Sequence, residues 1–436
     1  FERNVAQLVA LGQYSHAALK DVVTATGLQY NRLTKGIAHY YTSQKSFDEA
    51  GNAAELIIAL VALRAGMLDA WRPRIMEDDR SWPAPIEDWW IGQPGMSALV
   101  NLWAQPLVQP ELHGGLLVKP FEGPFRAEWV LAGVKEAGFT DVRAPAEHGL
   151  ETALKVHDAG YLEFLRTCWD RWQAHGFEGE AIATSFPCRR SQTGRVPKNI
   201  DGAVGYYTNS AETSISKGTY EASIASMDVA LSGADWLNEG NRFAFSLCRP
   251  PGHHAGIDLF GGYCFINNAA VAAQRLIDHG AKKVAILDVD FHHGNGTQDI
   301  TYRRGDIFFA SLHGEPQDAF PFFLGYADET GEGDGEGLNA NYPMPSGTPF
   351  EIWSAALEDS LKKIKAYGAE AIVVSLGVDT FEKDPISFFK LKSPDYIRMG
   401  EMIAASGVPV LTLMEGGYGV PEIGLNVANV LKGLEG

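Results

Sequence analysis

The feature that most limits the fold is a set of short apolar runs, each followed at once by residues capable of chemistry. Residues 243–247 (FAFSL) lead into Arg249, Gly252, His253 and His254. Residues 284–289 (VAILDV) lead into Asp290, His292 and His293. Residues 371–376 (AIVVSL) lead into Gly377 and Asp379, and residues 408–414 (VPVLTLM) into Glu415 and Tyr418. Continuous runs of this length read as strands buried on both faces of a parallel sheet. Helix-like segments at 269–279, 354–367 and 396–406 precede three of them, and such alternation implies βαβ units. Ligands of open α/β sheets bind beyond the carboxyl ends of the strands. All four strand ends are therefore expected to point into one site. The expected fold class is α/β, a three-layer domain with a mainly parallel central sheet.

The residues at these ends suggest a metal. Asp290 and His292 are separated by one residue, so in extended backbone both face the same way. Asp379 from another strand end adds a second carboxylate. Two carboxylates and one imidazole leave positions open for water and substrate, as in catalytic zinc sites. The same donors suit iron(II) or cobalt. Taken singly, such carboxylates also serve as helix caps and turn formers. His253 and His254 titrate near neutrality and can divide base and electrostatic roles around a water, although two adjacent histidines also suit a plain surface loop. Tyr418 stands between glycines in GGYG, where a tight turn can present its hydroxyl to an oxyanion or simply pack an aromatic ring.

Charge narrows the function classes. Lys and Arg number 36 against 54 Asp and Glu, a formal net charge of −18. Nucleic-acid binding depends on phosphate neutralisation and is not expected of such a chain. An acidic field attracts cationic small molecules instead. Cys168, Cys188, Cys248 and Cys264 form no CxxC and fit neither a disulfide framework nor a zinc ribbon. They agree with a reducing, cytoplasmic compartment. The longest apolar run, near 56–63, is far short of the ~20 residues a membrane span needs, and no signal peptide is visible.

Residues 1–110 read differently. Segments 1–27 and 47–71 have a helical rhythm, and the Pro- and Trp-rich stretch 72–95 reads as a linker or extended arm. The expected organisation is a mostly helical extension or fusion remnant over 1–95 and a catalytic domain over 96–436. Residues 331–337 (GEGDGEG) read as a flexible loop.

Five motifs carry a family resemblance: RPPGHHAG (249–256), GGYCFINNAA (261–270), LDVDFHHGNGT (287–297), SLGVDTFEKDP (375–385) and MEGGYG (414–419). Over about residues 111–436 the chain resembles the histone deacetylase superfamily. FRAEWVLAGVKEAGF (125–139), ETALKVHDAGYL (151–162) and YYTNSAET (206–213) are most similar to its bacterial acetylpolyamine amidohydrolases. The resemblance implies that Asp290, His292 and Asp379 bind zinc, that His253 and His254 are the tandem catalytic histidines, and that Tyr418 is the transition-state tyrosine. Asp288 is implied to orient His253 and to bind a structural potassium ion. Asn295 stands behind His254, where many relatives have Asp; a neutral partner leaves that imidazole less basic. Tyr263 and Phe320 match the aromatic walls of a substrate channel, with Gly262 beside them. Glu212 and Asp201 match acidic positions at its mouth. Residues 184–202 resemble a loop through which such enzymes form homodimers and narrow the entrance. The related arginases bind two manganese ions and carry an additional Asp where this chain has Gly377, so a mononuclear site is implied.

The implied reaction is metal-assisted hydrolysis of an acetylated polyamine or similar amine, releasing acetate. The alternatives are deacetylation of acetyl-lysine in proteins, and a catalytically silent binding module. The silent module would require a missing ligand or tyrosine, and none is missing. The family's opening edge strand and its charged residues have no match in 99–110 (LVNLWAQPLVQP); residues 100–102 are expected to pair weakly. Residues 11–51 are similar to an internal stretch of flavin-dependent D-amino-acid dehydrogenases, but the G-x-G-x-x-G phosphate loop is absent and no FAD is expected. A natural start at Met96 would leave a chain of ordinary family length.

Overall fold

The apolar runs become the centre of a sheet. The computed structural model describes residues 90–93, 96–100, 111–113, 116–118, 120–188, 194–418 and 421–436. The first elements are strands β1 (Trp90–Gln93) and β2 (Met96–Val100), then the hairpin β3 (Glu111–His113) and β4 (Leu116–Val118). Helix α1 (Pro124–Glu136), β5 (Val142–Arg143), α2 (Ala159–Ala174), α3 (Ile200–Tyr206) and α4 (Thr219–Asn238) follow. The alternating part is β6 (Phe243–Leu247), α5 (Asn268–Asp278), β7 (Val284–Asp288), α6 (Asn295–Thr301) and β8 (Ile307–Gly314). It continues through β9 (Asn339–Met344), α7 (Phe350–Tyr367), β10 (Ala371–Leu376), α8 (Asp395–Ala404), β11 (Val410–Met414) and α9 (Glu422–Glu435).

Nine strands form one sheet in the order β1-β5-β2-β6-β11-β10-β7-β8-β9. From β2 to β9 every neighbouring pair is parallel, and only β1 runs antiparallel to its partners. The period-two alternation of a strand explains the two cores. Ile372, Val374 and Leu376 of β10 pack into one apolar cluster with residues of α1, α7, α8 and α9. Ala371 and Val373 of the same strand pack into the other with α2, α3, α4 and α5. Helices thus cover both faces, as expected. Local chemistry sets their ends: Asp158 caps α2 by accepting from Tyr161 N (3.0 Å), and Asn267 caps α5 by accepting from Ala270 N (2.9 Å).

Three expectations need correction. Of the residues expected to pair at 100–102, Val100 does so, opposite Leu247, and 101–102 lie outside the described residues; the strand is longer than expected, Met96–Val100, and is no edge, because β5 and β1 lie outside it. Trp90–Gln93, read as part of a linker, pairs with β2 in a tight hairpin whose two intervening residues are Pro94 and Gly95, a turn dipeptide. The sheet thus reaches back beyond residue 96. The glycine-rich loop 331–337 is anchored: Gly333–Gly335 form a turn of 3-10 helix, and Glu332 N donates to Tyr302 O (2.9 Å). The helical and flavin-related readings of residues 1–89 fall outside the described residues. Among the described residues no helix is long and apolar enough to cross a membrane.

Candidate active site

The carboxyl ends of β6, β7, β10 and β11 converge. Glu415, just beyond β11, holds the loop after β6: its Oε2 accepts from Gly252 N (2.6 Å) and His253 N (3.2 Å). Asp288 ends β7, and its Oδ2 lies 3.0 Å from His253 Nδ1. Asn295 opens α6, and its Oδ1 lies 2.6 Å from His254 Nδ1. A carbonyl oxygen only accepts, so His254 carries its proton on Nδ1 and Nε2 keeps a free lone pair. The two imidazole centroids are 4.0 Å apart.

His292 Nδ1 lies 2.9 Å from Asp379 Oδ2 and 3.3 Å from Asp290 Oδ1. Backbone N–H groups fix these carboxylates: Gly416 N donates to Asp290 (2.7 Å) and Phe291 N to Asp379 (2.8 Å). All three side chains are buried. Burial and the neighbouring Asp290 push Asp379 up to about 6. Burial also opposes charge on His253, but Asp290 and Asp288 outweigh it and raise His253 to about 10. Burial, with His253 and His292 alongside, drives His254 well below the ordinary histidine value. Burial raises the Tyr418 hydroxyl far above its usual range, so it stays a proton donor.

The turn bearing Tyr418 is held from below. Arg126 on α1 donates from Nε to Gly417 O and from Nη2 to Glu415 O (both 2.5 Å), and its guanidinium lies 4.6 Å from the Tyr418 ring centre. Glu122 pairs with Arg126 (3.3 Å) and takes both arms of Arg249 (3.0 and 2.9 Å). Above the metal-type cluster opens a cavity of about 240 Å³. Its walls include His254, His292, Gly262, Tyr263, Phe320 and Tyr418, with Glu111, Glu212 and Asp318 as carboxylates.

Residues 120–434 match the histone deacetylase domain. The chain belongs to the histone deacetylase family. It is 74% identical over 326 residues to the acetylpolyamine amidohydrolase of Mycoplana ramosa, covering 75% of this chain and 95% of the relative. It is 54% identical to acetylpolyamine amidohydrolase 1 of Pseudomonas aeruginosa, with the same coverage. The crystal structure of the acetylpolyamine aminohydrolase of Burkholderia pseudomallei superposes with a TM-score of 0.73 at 32% identity, covering 78% of this chain and 98% of that one.

Metal dependence, generally on zinc, is a property of this deacetylase family, and the donors here fit it. One atom each from Asp290, His292 and Asp379 lies within 4.8 Å of the others. Two buried carboxylates facing each other call for a cation. A side chain at Gly377 would overlap the Asp290 carboxylate, so the position that carries an additional Asp in arginases has no room for one here. Gly262 is required as well: φ is 53°, and a Cβ there would collide with the His254 ring.

Of the site residues expected from sequence, His253, His254, Asp288, Asn295, Asp290, His292, Asp379, Tyr418, Gly262, Tyr263, Phe320 and Glu212 come together. Asp201 does not. It lies in the first turn of α3, where its Oδ1 accepts from Thr184 Oγ1 (3.0 Å), and is no part of the cavity wall. Two acids of the cavity wall were missed by sequence reasoning, Asp318 and Glu111, and Glu111 is the more deeply placed. The β3–β4 hairpin folds it inward; it is buried, Tyr263 OH donates to its Oε1 (2.6 Å), and burial raises its carboxyl. Its signal was only proximity to a region whose charges looked absent. Arg126 was also missed, and Glu415 was placed at a strand end without a role, because both act by holding backbone that other elements supply.

Proposed function

We propose that this chain hydrolyses the amide of acetylated polyamines and similar small acetylated amines, releasing acetate and a free amine. One observation carries the reading: the cavity that reaches His254, His292 and Tyr418 bears three carboxylates, Glu111, Glu212 and Asp318. A cation bound by Asp290, His292 and Asp379 supplies Lewis-acid polarisation of the acetyl carbonyl and of a water. The protein's own groups do the rest. His254, neutral and with Nε2 free, takes a proton from the attacking water and returns it to the departing amine. His253, charged and fixed by Asp288, adds positive potential beside the reaction. Tyr418 donates its hydroxyl proton in a hydrogen bond to the oxyanion. Tyr263 and Phe320 keep the alkyl chain of the amine aligned and the site dry.

The relatives from M. ramosa and P. aeruginosa are named for the same substrate class, which supports this reading. The decisive assay offers acetylated diaminobutane and an acetyl-lysine peptide to the metal-loaded enzyme. Preference for the amine by tenfold or more in kcat/KM is expected; preference for the peptide would move the function to protein deacetylation, and hydrolysis of neither would leave a silent module.

Four finer assignments belong to the same reading. Zinc is the metal, with iron(II) served by the same donors. A potassium ion sits beside Asp288, a fully buried carboxylate that His253 and the Asp290 N–H otherwise partner. Residues 184–202 make a homodimer contact, supported by the exposure of Phe186 and Val196. The compartment is the cytoplasm, in keeping with four cysteines that form no CxxC pattern.

A further inference from the structure

Two non-glycine residues among those described adopt left-handed backbone, Tyr263 (φ 68°) and Phe322 (φ 66°), and both line the active-site cavity. That conformation is disfavoured for any residue with a Cβ, and it persists where the surrounding structure insists on it, often at functional walls. Tyr263 is explained by its hydrogen bond to Glu111. At Phe322 it is the main chain that is held, its carbonyl accepting from Tyr326 OH (3.1 Å), while the ring stays half exposed.

Phe322 also opens a run that turn chemistry does not favour. Phe322, Phe323 and Leu324 are 47%, 77% and 36% exposed. Consecutive exposed apolar residues are a liability unless they bind something. The run is held firmly: Phe322 N donates to Ala319 O (3.0 Å), Phe323 N to Pro321 O (2.8 Å) and Gly325 N to Glu329 Oε2 (2.9 Å). The backbone therefore fixes these rings in solvent. They continue a line of rings leading outward from the chemistry. The His254 centroid is 4.9 Å from that of Phe320, Phe320 is 6.4 Å from Phe322, and Phe322 is 6.4 Å from Phe323. Asp318, on the same loop, faces the same cavity.

We propose that Asp318, Phe322 and Phe323 form an outer subsite for the distal ammonium and spacer methylenes of a long acetylated polyamine, one with three or more nitrogens. The proposal rests on the amidohydrolase reading above and adds a length preference to it. Ring faces attract alkylammonium ions, a nearby carboxylate completes their recognition, and methylenes pack against ring surface. Glu111 and Glu212 inside the cavity serve the nearer ammonium; the loop 318–323 serves the next one out.

The test compares kcat/KM for a monoacetylated triamine with that for monoacetylated diaminobutane. The wild type is expected to favour the triamine. Phe322→Ala and Asp318→Asn are each expected to lower the triamine-to-diamine ratio by about five- to tenfold, carried by KM, while Phe322→Tyr keeps it. If Phe322→Ala does not fold, Asp318→Asn and Phe323→Ala read the same ratio. A ratio unchanged across the folded variants overturns the proposal. So does loss of a dimer in size-exclusion chromatography at constant ratio, which would make the rings a subunit contact. Failure of the wild type on both amines would instead defeat the amidohydrolase reading, so the two failures are distinguishable.

Discussion

Tyr418 shows how much one side chain depends on its setting. Its hydroxyl is kept protonated by burial, and its ring rests on Arg126, which also grips the carbonyls of Glu415 and Gly417. Phe at this position keeps the ring and removes only the donor. Tyr418→Phe is therefore expected to lower kcat by about 10²–10³-fold, the usual effect of losing one oxyanion donor. Metal content by elemental analysis should stay at one ion per chain. Turnover near that of the wild type would refute the role. The motifs foretold this residue well, because GGYG carries both the turn and the hydroxyl. They could not foretell Arg126, whose partners lie 289 and 291 residues away in sequence. They placed Asp201 wrongly for the opposite reason: its acidity was visible, but the neighbour that engages it, Thr184, was not.

Among the elements, α4 offers a pH-dependent clamp. Asp228, Ser232 and Asp235 lie on one face of this helix at spacings of four and three. They hold the irregular segment 144–150: Ala146 N donates to Ser232 Oγ (3.0 Å), His148 N donates to Asp228 Oδ1 (3.0 Å), and the His148 ring meets Asp235 at 3.1 Å. Hydrogen bonds to Asp228 and Asp235 outweigh partial burial and raise His148 to about 9. Because the folded value exceeds the unfolded one of about 6.5, the stabilisation is complete below pH 6.5 and disappears as pH rises through 9. After allowance for solvent around the pair, the loss should be about 1–2 kcal/mol. Urea midpoints measured from pH 6 to pH 10 should fall over that interval in the wild type and much less in His148→Asn. Equal slopes for both proteins would remove the clamp. This clamp was not legible in the sequence, whereas the strands were. Residues 243–247 and 371–376 match β6 and β10 residue for residue, since burial on both faces leaves an unbroken apolar run. Strand β1 was misread because a short strand beside Pro94 and Gly95 looks like linker until its partners are known.

For the molecule as a whole, the carboxylates at the carboxyl ends of β7 and β10 are a stability problem that a bound cation would relieve. Asp288, Asp290 and Asp379 are completely buried within one constellation. Removing the cation leaves their repulsion partly uncompensated and also removes the binding free energy from the folded state. Chelator-treated protein should melt lower by about 5 °C or more, and zinc should restore the wild-type melting point. Asp379→Ala should show little response to either treatment. An unchanged melting point after verified metal loss would show that the site is stable without its ion. The strong negative charge noted at the outset takes a local form here, with one set of acids gathered at the candidate metal site and another lining the cavity above it.

The position of β11 has a consequence for how this protein comes into being. Among the described strands it comes last in sequence, yet it lies between β6 and β10, with parallel partners on both sides. A nascent chain that has emitted everything up to residue 409 presents two facing strand edges with no strand between them, the kind of template on which chains aggregate. The same missing strand carries Glu415 and Tyr418 just beyond its end, so hydrolytic competence and the closing of the sheet arrive together. During synthesis the chain therefore stays both vulnerable and inert until β11 and the turn behind it have emerged, and a chaperone that shields the gap between β6 and β10 would guard the site as well as the fold.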